Sequence, residues 1–380
     1  MDDLTKQYAK FPYPHPDASK VEEFGNLGSV LLMGCPSGFS RFYWPKANER
    51  SPQNILSAGC GTTQAVALAL RNPEAKITGI DQSRESLEIA SSFAKEYGLK
   101  NLSLIEQDII QHSGKYDFIM CTGVLHHTID PLSYLRHLGE LLKPHGCLLI
   151  QVYGESNRLE LRSFKRAIRI LGATASNTGL DFVKSLIPRL PAYHPAVLSK
   201  NKYTDLTNDS GIVDFFLNPR EVEYSVRNLI EMCFDANLQF YSWSEPWHYD
   251  LDFYLDGEIK RRASRFDHIE RWSIAESFSY PLTMHSVVLK KMQNHSLAFS
   301  GRHPDATHIE WRPGIKINCD PKGAEIIFSP HKNIFIPGLT QDEAELIRSG
   351  CPIDKIELFG KNKYVLNKLI ELGILFCYEP

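Results

Sequence analysis

No stretch of this chain reaches the roughly 18 consecutive apolar residues that a helix needs to cross a bilayer. The opening segment, MDDLTKQYAKFPYPHP, has no apolar signal core. Nothing in the sequence therefore reads as a membrane span or a secretory leader. Paired cysteines are also missing. Cys35, Cys60, Cys121, Cys147, Cys233, Cys319, Cys351 and Cys377 form no CxxC motif, which argues against a zinc knuckle or any other metal site. Spread singly, they read as free thiols of a cytoplasmic protein. Charge of one sign is scarce too: 42 Lys and Arg against 45 Asp and Glu leave a formal −3. No global field draws such a chain to nucleic acid or to an anionic membrane. There is no internal repeat and no low-complexity segment. What remains is ordinary globular material, 43% hydrophobic and 23% charged over 380 residues. That length suggests two or three domains and allows a sizeable core.

Prolines crowd the first fifty residues (Pro12, Pro14, Pro16, Pro36, Pro45). A stretch such as FPYPHP cannot lie inside a helix, so residues 1–50 read as an extended arm with Tyr8, Phe11 and Tyr13 as apolar anchors. From Asn54 the pattern alternates. NILSAG, KITGID, LSLIEQD, YDFIMCTGV and CLLIQVY read as strands. TQAVALALRN, SRESLEIASSFAKEYG and PLSYLRHLGELLKPHG read as helices, with Ser83 as an N-cap and Gly98 as a stop. Strands alternating with helices of this length predict a parallel sheet covered on both faces. Residues 158–236 read as a mostly helical insertion, including NPREVEYSVRNLIEMCFDA. The segments at 237–244 and 283–291 supply a closing pair of strands within 237–297. The expected fold is α/β: a doubly wound, mostly parallel seven-stranded sheet. Residues 301–380 read as a separate α+β module of winged-helix type, built from a hairpin, a short helix, and a helix running into a strand.

The segment NILSAGCGTTQ sets a strand against a turn with almost no side chains. Gly59 and Gly61 either make a tight structural turn or let a ligand approach the backbone. Asp81 ends the second strand, where a carboxylate can accept both hydroxyls of a ribose. Asp108 ends the third, and CTGVLHH ends the fourth. A dinucleotide fold would want a third glycine where Gln64 stands.

The run DFIMCTGVLHHTIDP, followed by LLKPHG and CLLIQVY, resembles the class I S-adenosylmethionine-dependent methyltransferases over about residues 50–155. The resemblance implies a Rossmann-like core at residues 51–157 and S-adenosyl-L-methionine as cofactor. It implies Asp81 on the ribose and Asp108 at the adenine. It also implies contacts from Ala58, Gly59, Cys60, Gly61, Gln64, Gln82, Ile109, Thr122, Gly123 and Val124. Two departures stand out: Ser57 replaces the usual acidic residue before the turn, and Thr63 its third glycine.

A sulfonium methyl is already electrophilic, so alignment and exclusion of water matter most. His126 and His127 are the candidates for a base, and Tyr153 is a further catalytic candidate. Tyr153 and Glu155 are expected on the same rim. The arm reads as a lid. KYTDLTNDSGIVDFF suits a substrate wall or an ordinary helix connection, and the group around Trp243, Trp247, His248 and Tyr249 suits core packing. A bacterial methyltransferase family with a PYP arm, an AGCGT turn and a helical insertion is similar in layout and includes proteins thought to act on peptides or proteins. The expected activity is methyl transfer to nitrogen or oxygen of a peptide or protein. A small natural-product acceptor and a regulatory protein with weakened catalysis are the alternatives. For residues 301–380 the open roles are acceptor recognition and pairing of two copies.

Overall fold

The computed structural model describes residues 3–23, 35–46, 52–156, 158–253, 255–278, 284–292, 306–329 and 332–380. Seven strands form the main sheet: β1 (Asn54–Ala58), β2 (Lys76–Asp81), β3 (Leu102–Glu106), β4 (Tyr116–Thr122), β5 (Leu142–Tyr153), β6 (Leu238–Trp243) and β7 (Met284–Lys291). Their order is β3-β2-β1-β4-β5-β7-β6, with β1 to β5 parallel and β7 antiparallel to both its neighbours. The sheet is the doubly wound one expected. Strand order reverses between β1 and β4, and the crevice beyond the carboxyl ends of those strands is where such sheets bind ligands.

Strand alternation explains why both faces are apolar. Leu56, Ile119, Cys121, Leu148, Ile150, Val287 and Leu289 enter one core cluster; Ile55, Phe118, Met120, Leu149 and Val288 enter the other. Neighbouring residues of a strand point to opposite faces, so a strand covered on both sides must be apolar throughout. Helices Pro131–Leu141 and Val226–Asp235 cover the first of these faces. Helix Gln64–Arg71 covers the second, with Ala90 of helix Arg84–Glu96 at its margin. Ser83 caps the latter helix through its hydroxyl, which accepts from the Ser86 amide at 3.1 Å. Gly98 follows that helix at φ +64°.

Three segments differ from the sequence reading. The first fifty residues are not one irregular arm. Asp3–Lys10 is a helix, and Leu4, Tyr8 and Phe11 repeat at helical spacing along one face of it. Phe39, Phe42, Tyr43 and Trp44 lie in the core of the sheet's second face, and Trp44 donates its indole N–H to the His145 carbonyl at 2.9 Å. Second, the helix expected to run through LLKPHG ends at Leu141, and β5 begins at Leu142. Pro144 disfavours helical backbone at Lys143 and turns the chain into the strand. Third, residues 219–225 are extended rather than helical. The Val222 amide bonds the His126 carbonyl and the Tyr224 amide bonds the Tyr153 carbonyl, each at 2.9 Å. The helix begins only at Val226, after Ser225 caps it. The insertion itself, with helices Leu159–Ile170, Asn177–Leu186 and Pro195–Lys202, has its own apolar cluster around Phe164, Ile168, Val183 and Phe216.

The C-terminal module contains β8 (His308–Trp311), β9 (Lys316–Asp320), β10 (Gly323–Ser329), β11 (Lys332–Pro337), β12 (Cys351–Pro352) and β13 (Leu375–Tyr378). They form two three-stranded sheets, β11-β10-β9 and β12-β8-β13. The expected hairpin is β9–β10, and the terminal helix Lys363–Glu371 leads into β13.

Candidate active site

The strand ends of β1, β2 and β4 open into a cavity of about 900 Å³, walled also by the N-terminal arm and the insertion. Gly59 and Gly61 sit at its floor with φ of +66° and +53°, a left-handed conformation that costs other residues strain. A Cβ on Gly59 would collide with Val124, and one on Gly61 with the Tyr13 carbonyl. The nearly side-chain-free turn therefore admits the chain's own loop and arm.

Asp81 is set by its neighbours. Its Oδ2 accepts from the Gly61 amide at 2.8 Å and its Oδ1 from the Ser83 amide at 2.9 Å. Burial pushes its carboxyl up, against the pull of those amides and of Gln82. Each oxygen keeps further lone pairs for a ligand. Asp108 follows β3, caps Ile109–Gln111 by accepting from the Ile110 amide at 3.1 Å, and accepts from the Tyr134 hydroxyl at 2.8 Å. Ser57 is fully buried and donates its hydroxyl to Gln64 Oε1 at 2.9 Å, while Gln64 Nε2 donates to the Thr122 hydroxyl. Gln64 thus links β1 to β4 at the switch point.

Of the residues singled out from sequence, Gly59, Cys60, Gly61, Gln64, Asp81, Gln82, Asp108, Ile109, Thr122, Gly123, Val124, His127 and Tyr153 line this cavity. Ala58 and His126 do not. Ala58 is in the core below the sheet's end. His126 is fully buried, its ring 3.9 Å from Tyr153 and 4.2 Å from His127 between centroids, and among the described residues neither ring nitrogen has a hydrogen-bond partner. Burial, then the neighbouring His127, Arg158 and Lys165, hold it well below the usual histidine range. Glu155 is off the wall as well, in an ion pair with Arg162 at 3.1 Å. Trp243 stacks on Tyr249 at 3.8 Å inside the core.

His127 lines the cavity. Its Nδ1–H donates to the Arg220 carbonyl at 2.7 Å, which fixes the tautomer and leaves the Nε2 lone pair free. Burial lowers its pKa more than Asp214, the Arg220 carbonyl and Glu221 raise it, so the ring is neutral near pH 7.

The arm and insertion bring residues that periodicity did not single out for the site. Tyr8 donates to Asp214 at 2.8 Å and Tyr13 to Asp205 at 3.2 Å, while Thr62 bonds the Pro14 carbonyl at 2.6 Å. Arg158 places its guanidinium 3.6 Å over the Tyr153 ring and 4.6 Å over Phe215, and pairs with Glu221 at 2.8 Å. The polar and aromatic mixture of KYTDLTNDSGIVDFF was the available signal. Tyr203, Asp205, Gly211, Asp214 and Phe215 from that segment all reach the cavity.

Residues 49–188 match a family model described as a methyltransferase domain. The chain carries a class I S-adenosylmethionine-dependent methyltransferase domain. An uncharacterized protein of Synechococcus sp. is similar to this methyltransferase, 29% identical over 82% of this chain and 78% of its own. A ubiquinone biosynthesis O-methyltransferase of Vibrio parahaemolyticus is 27% identical over 52% of this chain and 81% of its own. Among solved structures, PKMT2 from Rickettsia typhi superposes with a TM-score of 0.62 at 15% identity, covering 91% of this chain and 76% of that one. The same protein in complex with AdoHcy gives a TM-score of 0.60. That likeness shows the fold, and its coverage extends well beyond the matched domain. Among the described residues no helix is long and apolar enough to cross a membrane, and no cluster of His, Cys, Asp and Glu could hold a metal ion.

Proposed function

We propose that this methyltransferase acts on a nitrogen or oxygen nucleophile of a peptide or protein, with the cofactor along the strand ends and the acceptor between arm and insertion. The observation that carries this is the shape of the wall. Carboxylates and small residues at the strand ends fit an adenosine and an amino-acid moiety, while the aromatic residues Tyr8, Tyr13, Tyr153, Tyr203 and Phe215 come from the arm, the end of β5 and the insertion. In this reading Asp81 accepts from the ribose hydroxyls, and Asp108 meets the adenine amino group flanked by Ile109 and Gln82. The loop 59–61, Gln64 and residues 122–124 run beside the methionine part. When bound, the cofactor supplies a sulfonium methyl: the acceptor's lone pair forms the new bond to carbon while the carbon–sulfur pair leaves on sulfur. The chain's own work is then to align and to exclude water. The arm does the second through its ties to Asp214, Asp205 and Thr62. His127 Nε2 stands ready to take a proton from an acceptor that carries one.

A peptide acceptor is supported by the size of the cavity, about 900 Å³ shared between the strand ends, the arm and the insertion. A small acceptor is the second reading, favoured by the arm's closure over the cavity and by the activity in the name of the Vibrio relative. The two are separated by supplying methyl-labelled S-adenosylmethionine with a peptide digest and, in parallel, with a low-mass extract of the same cells. Label in the peptide fraction is expected. Label confined to the low-mass fraction would replace the first reading with the second.

A further inference from the structure

The wall contributed by the insertion holds a buried carboxylate that forms no ion pair among the described residues. Asp214 lies in the short π-helical stretch Val213–Leu217, is 4% exposed and faces the cavity. Its Oδ1 accepts from the Tyr8 hydroxyl at 2.8 Å and from Asn218 Nδ2 at 3.2 Å, and its Oδ2 lies 3.5 Å from the Tyr153 hydroxyl. These are neutral donors. Burial, reinforced by Asp214, pushes both tyrosine hydroxyls well above their ordinary range, so they stay protonated. Among the described residues Asp214 forms no salt bridge. The basic groups of the same region are engaged with other anions or carbonyls. Arg158 and Lys165 both meet Glu221, Arg158 also approaches Glu223 at 3.8 Å, and Arg220 donates to the His127 carbonyl at 3.5 Å.

A carboxylate held out of water is costly unless hydrogen bonds or a counter-ion offset the lost hydration. Neutral donors fix this one in position without pairing it directly with a cation. Tyr153 and Phe215 already carry the Arg158 guanidinium on their rings; the rings of Tyr8 and Tyr13 also face the cavity. Their π faces attract an organic cation, and the attraction grows as the site is desolvated. His127 adds the remaining group, a neutral imidazole whose Nε2 keeps its lone pair because Nδ1 is committed to the Arg220 carbonyl.

We propose that the acceptor is a primary amine that enters as its ammonium ion, is received by Asp214 within these aromatic rings, and yields a proton to His127 Nε2. The proposal rests on the methyltransferase reading above and narrows its acceptor. An ammonium nitrogen has no lone pair, so one N–H bond must break before the nitrogen can act as a nucleophile. Its electron pair stays on nitrogen and the proton forms the new N–H bond at Nε2, from which solvent removes it after turnover. The Asp214 carboxylate offsets the positive charge, first on the acceptor and then on the imidazolium. A carboxylate or phenolate acceptor would bring like charge to Asp214 and be repelled.

The test uses the full chain loaded with S-adenosylhomocysteine and two probes, N-acetyl-lysine methylamide and its norleucine counterpart, which lacks the ammonium group. In calorimetric titration the lysine compound should bind at least tenfold more tightly than the norleucine compound. Asp214→Asn, which keeps the side chain's size, should abolish that preference while S-adenosylhomocysteine affinity stays within a few-fold. Equal affinities in the unmodified protein, including no binding of either probe, overturn the proposal, and this comparison needs no variant. A lysine preference that survives Asp214→Asn also overturns it. Failure of the unmodified protein to bind S-adenosylhomocysteine at all is a different result, and it would remove the methyltransferase reading itself.

Discussion

His126 and His127 are adjacent in sequence, yet the structure gives them opposite surroundings. His127 has one ring nitrogen fixed on a carbonyl and the other toward the cavity. His126 is enclosed behind Tyr153, and among the described residues neither of its ring nitrogens has a hydrogen-bond partner. Burial holds both pKa values below the usual value, so each is neutral in the folded chain. In the unfolded chain they titrate near about 6.5. Between the folded and unfolded values the unfolded state binds more protons, so stability rises with pH across that window. It is fully present above about pH 6.5 and is lost as pH falls toward the folded values. His126→Phe should flatten the acid side of a stability–pH curve measured by chemical denaturation between pH 5 and 7.5. An unchanged acid slope would mean that His126 is not buried as a neutral ring. Sequence alone marks LHH as chemically interesting and cannot separate the two rings. The difference lies in Arg220, ninety-three positions away, which supplies the carbonyl. The same holds for Asp81 and Asp108, whose strand-end positions are legible, and for Asp214, whose partners Tyr8 and Tyr153 are distant in the chain.

At the scale of elements, the alternating strands and helices of residues 54–153 were readable because the inner strands β1, β4 and β5 are apolar on both faces and each helix has an apolar side. The arm was less so. Its prolines drew attention to extended backbone and hid the Leu4, Tyr8, Phe11 spacing of helix Asp3–Lys10. Residues 219–225 were misread for the complementary reason: their backbone partners are the rim of the sheet, and no local pattern announces that. The arm is tied down at two kinds of contact. Tyr8 and Tyr13 are hydrogen-bonded to aspartates of the insertion, while Phe11 is 8% exposed and joins the insertion's apolar cluster. Phe11→Ala should cost about 3 kcal/mol by removing a buried aromatic ring, though less if the arm simply detaches. Methyl transfer should fall further than global stability does, because the detached arm no longer excludes water. A variant melting several degrees lower with turnover unchanged would reduce the arm to packing.

At the scale of the whole molecule, the C-terminal module is continuous with the catalytic sheet rather than appended to it. Phe376 of β13 joins the core of the sheet's second face and lies 5.9 Å from Phe39 and 5.1 Å from Phe42 between ring centroids. Arg312 is buried, donates to the Ser244 carbonyl at 2.9 Å, and stands over the rings of Phe39 and Trp247. Lys368 meets Asp250 at 2.6 Å and Asp252 at 2.7 Å, and Arg41 pairs with Glu310. The module's helices and hairpin are legible one by one; its docking depends on residues 39–44, which read as part of an irregular arm. Ending the chain near Ser300 would therefore expose apolar core, and the truncated protein is expected to aggregate rather than to behave as an isolated catalytic domain. The gentler variant Phe376→Ala should destabilise by about 3–5 kcal/mol in chemical denaturation and leave cofactor affinity within a few-fold. A neutral substitution would mean that the module does not share the core.

The cofactor's place at the strand ends, with the ribose on Asp81, is tested most directly by titrating S-adenosylhomocysteine into the unmodified chain and into Asp81→Ala in a calorimeter. Saturable one-to-one binding is expected for the first. For the second, a loss of about 1.5–3 kcal/mol is expected, the cost of removing hydrogen bonds to a charged acceptor. Equal affinities in the two proteins would contradict that placement.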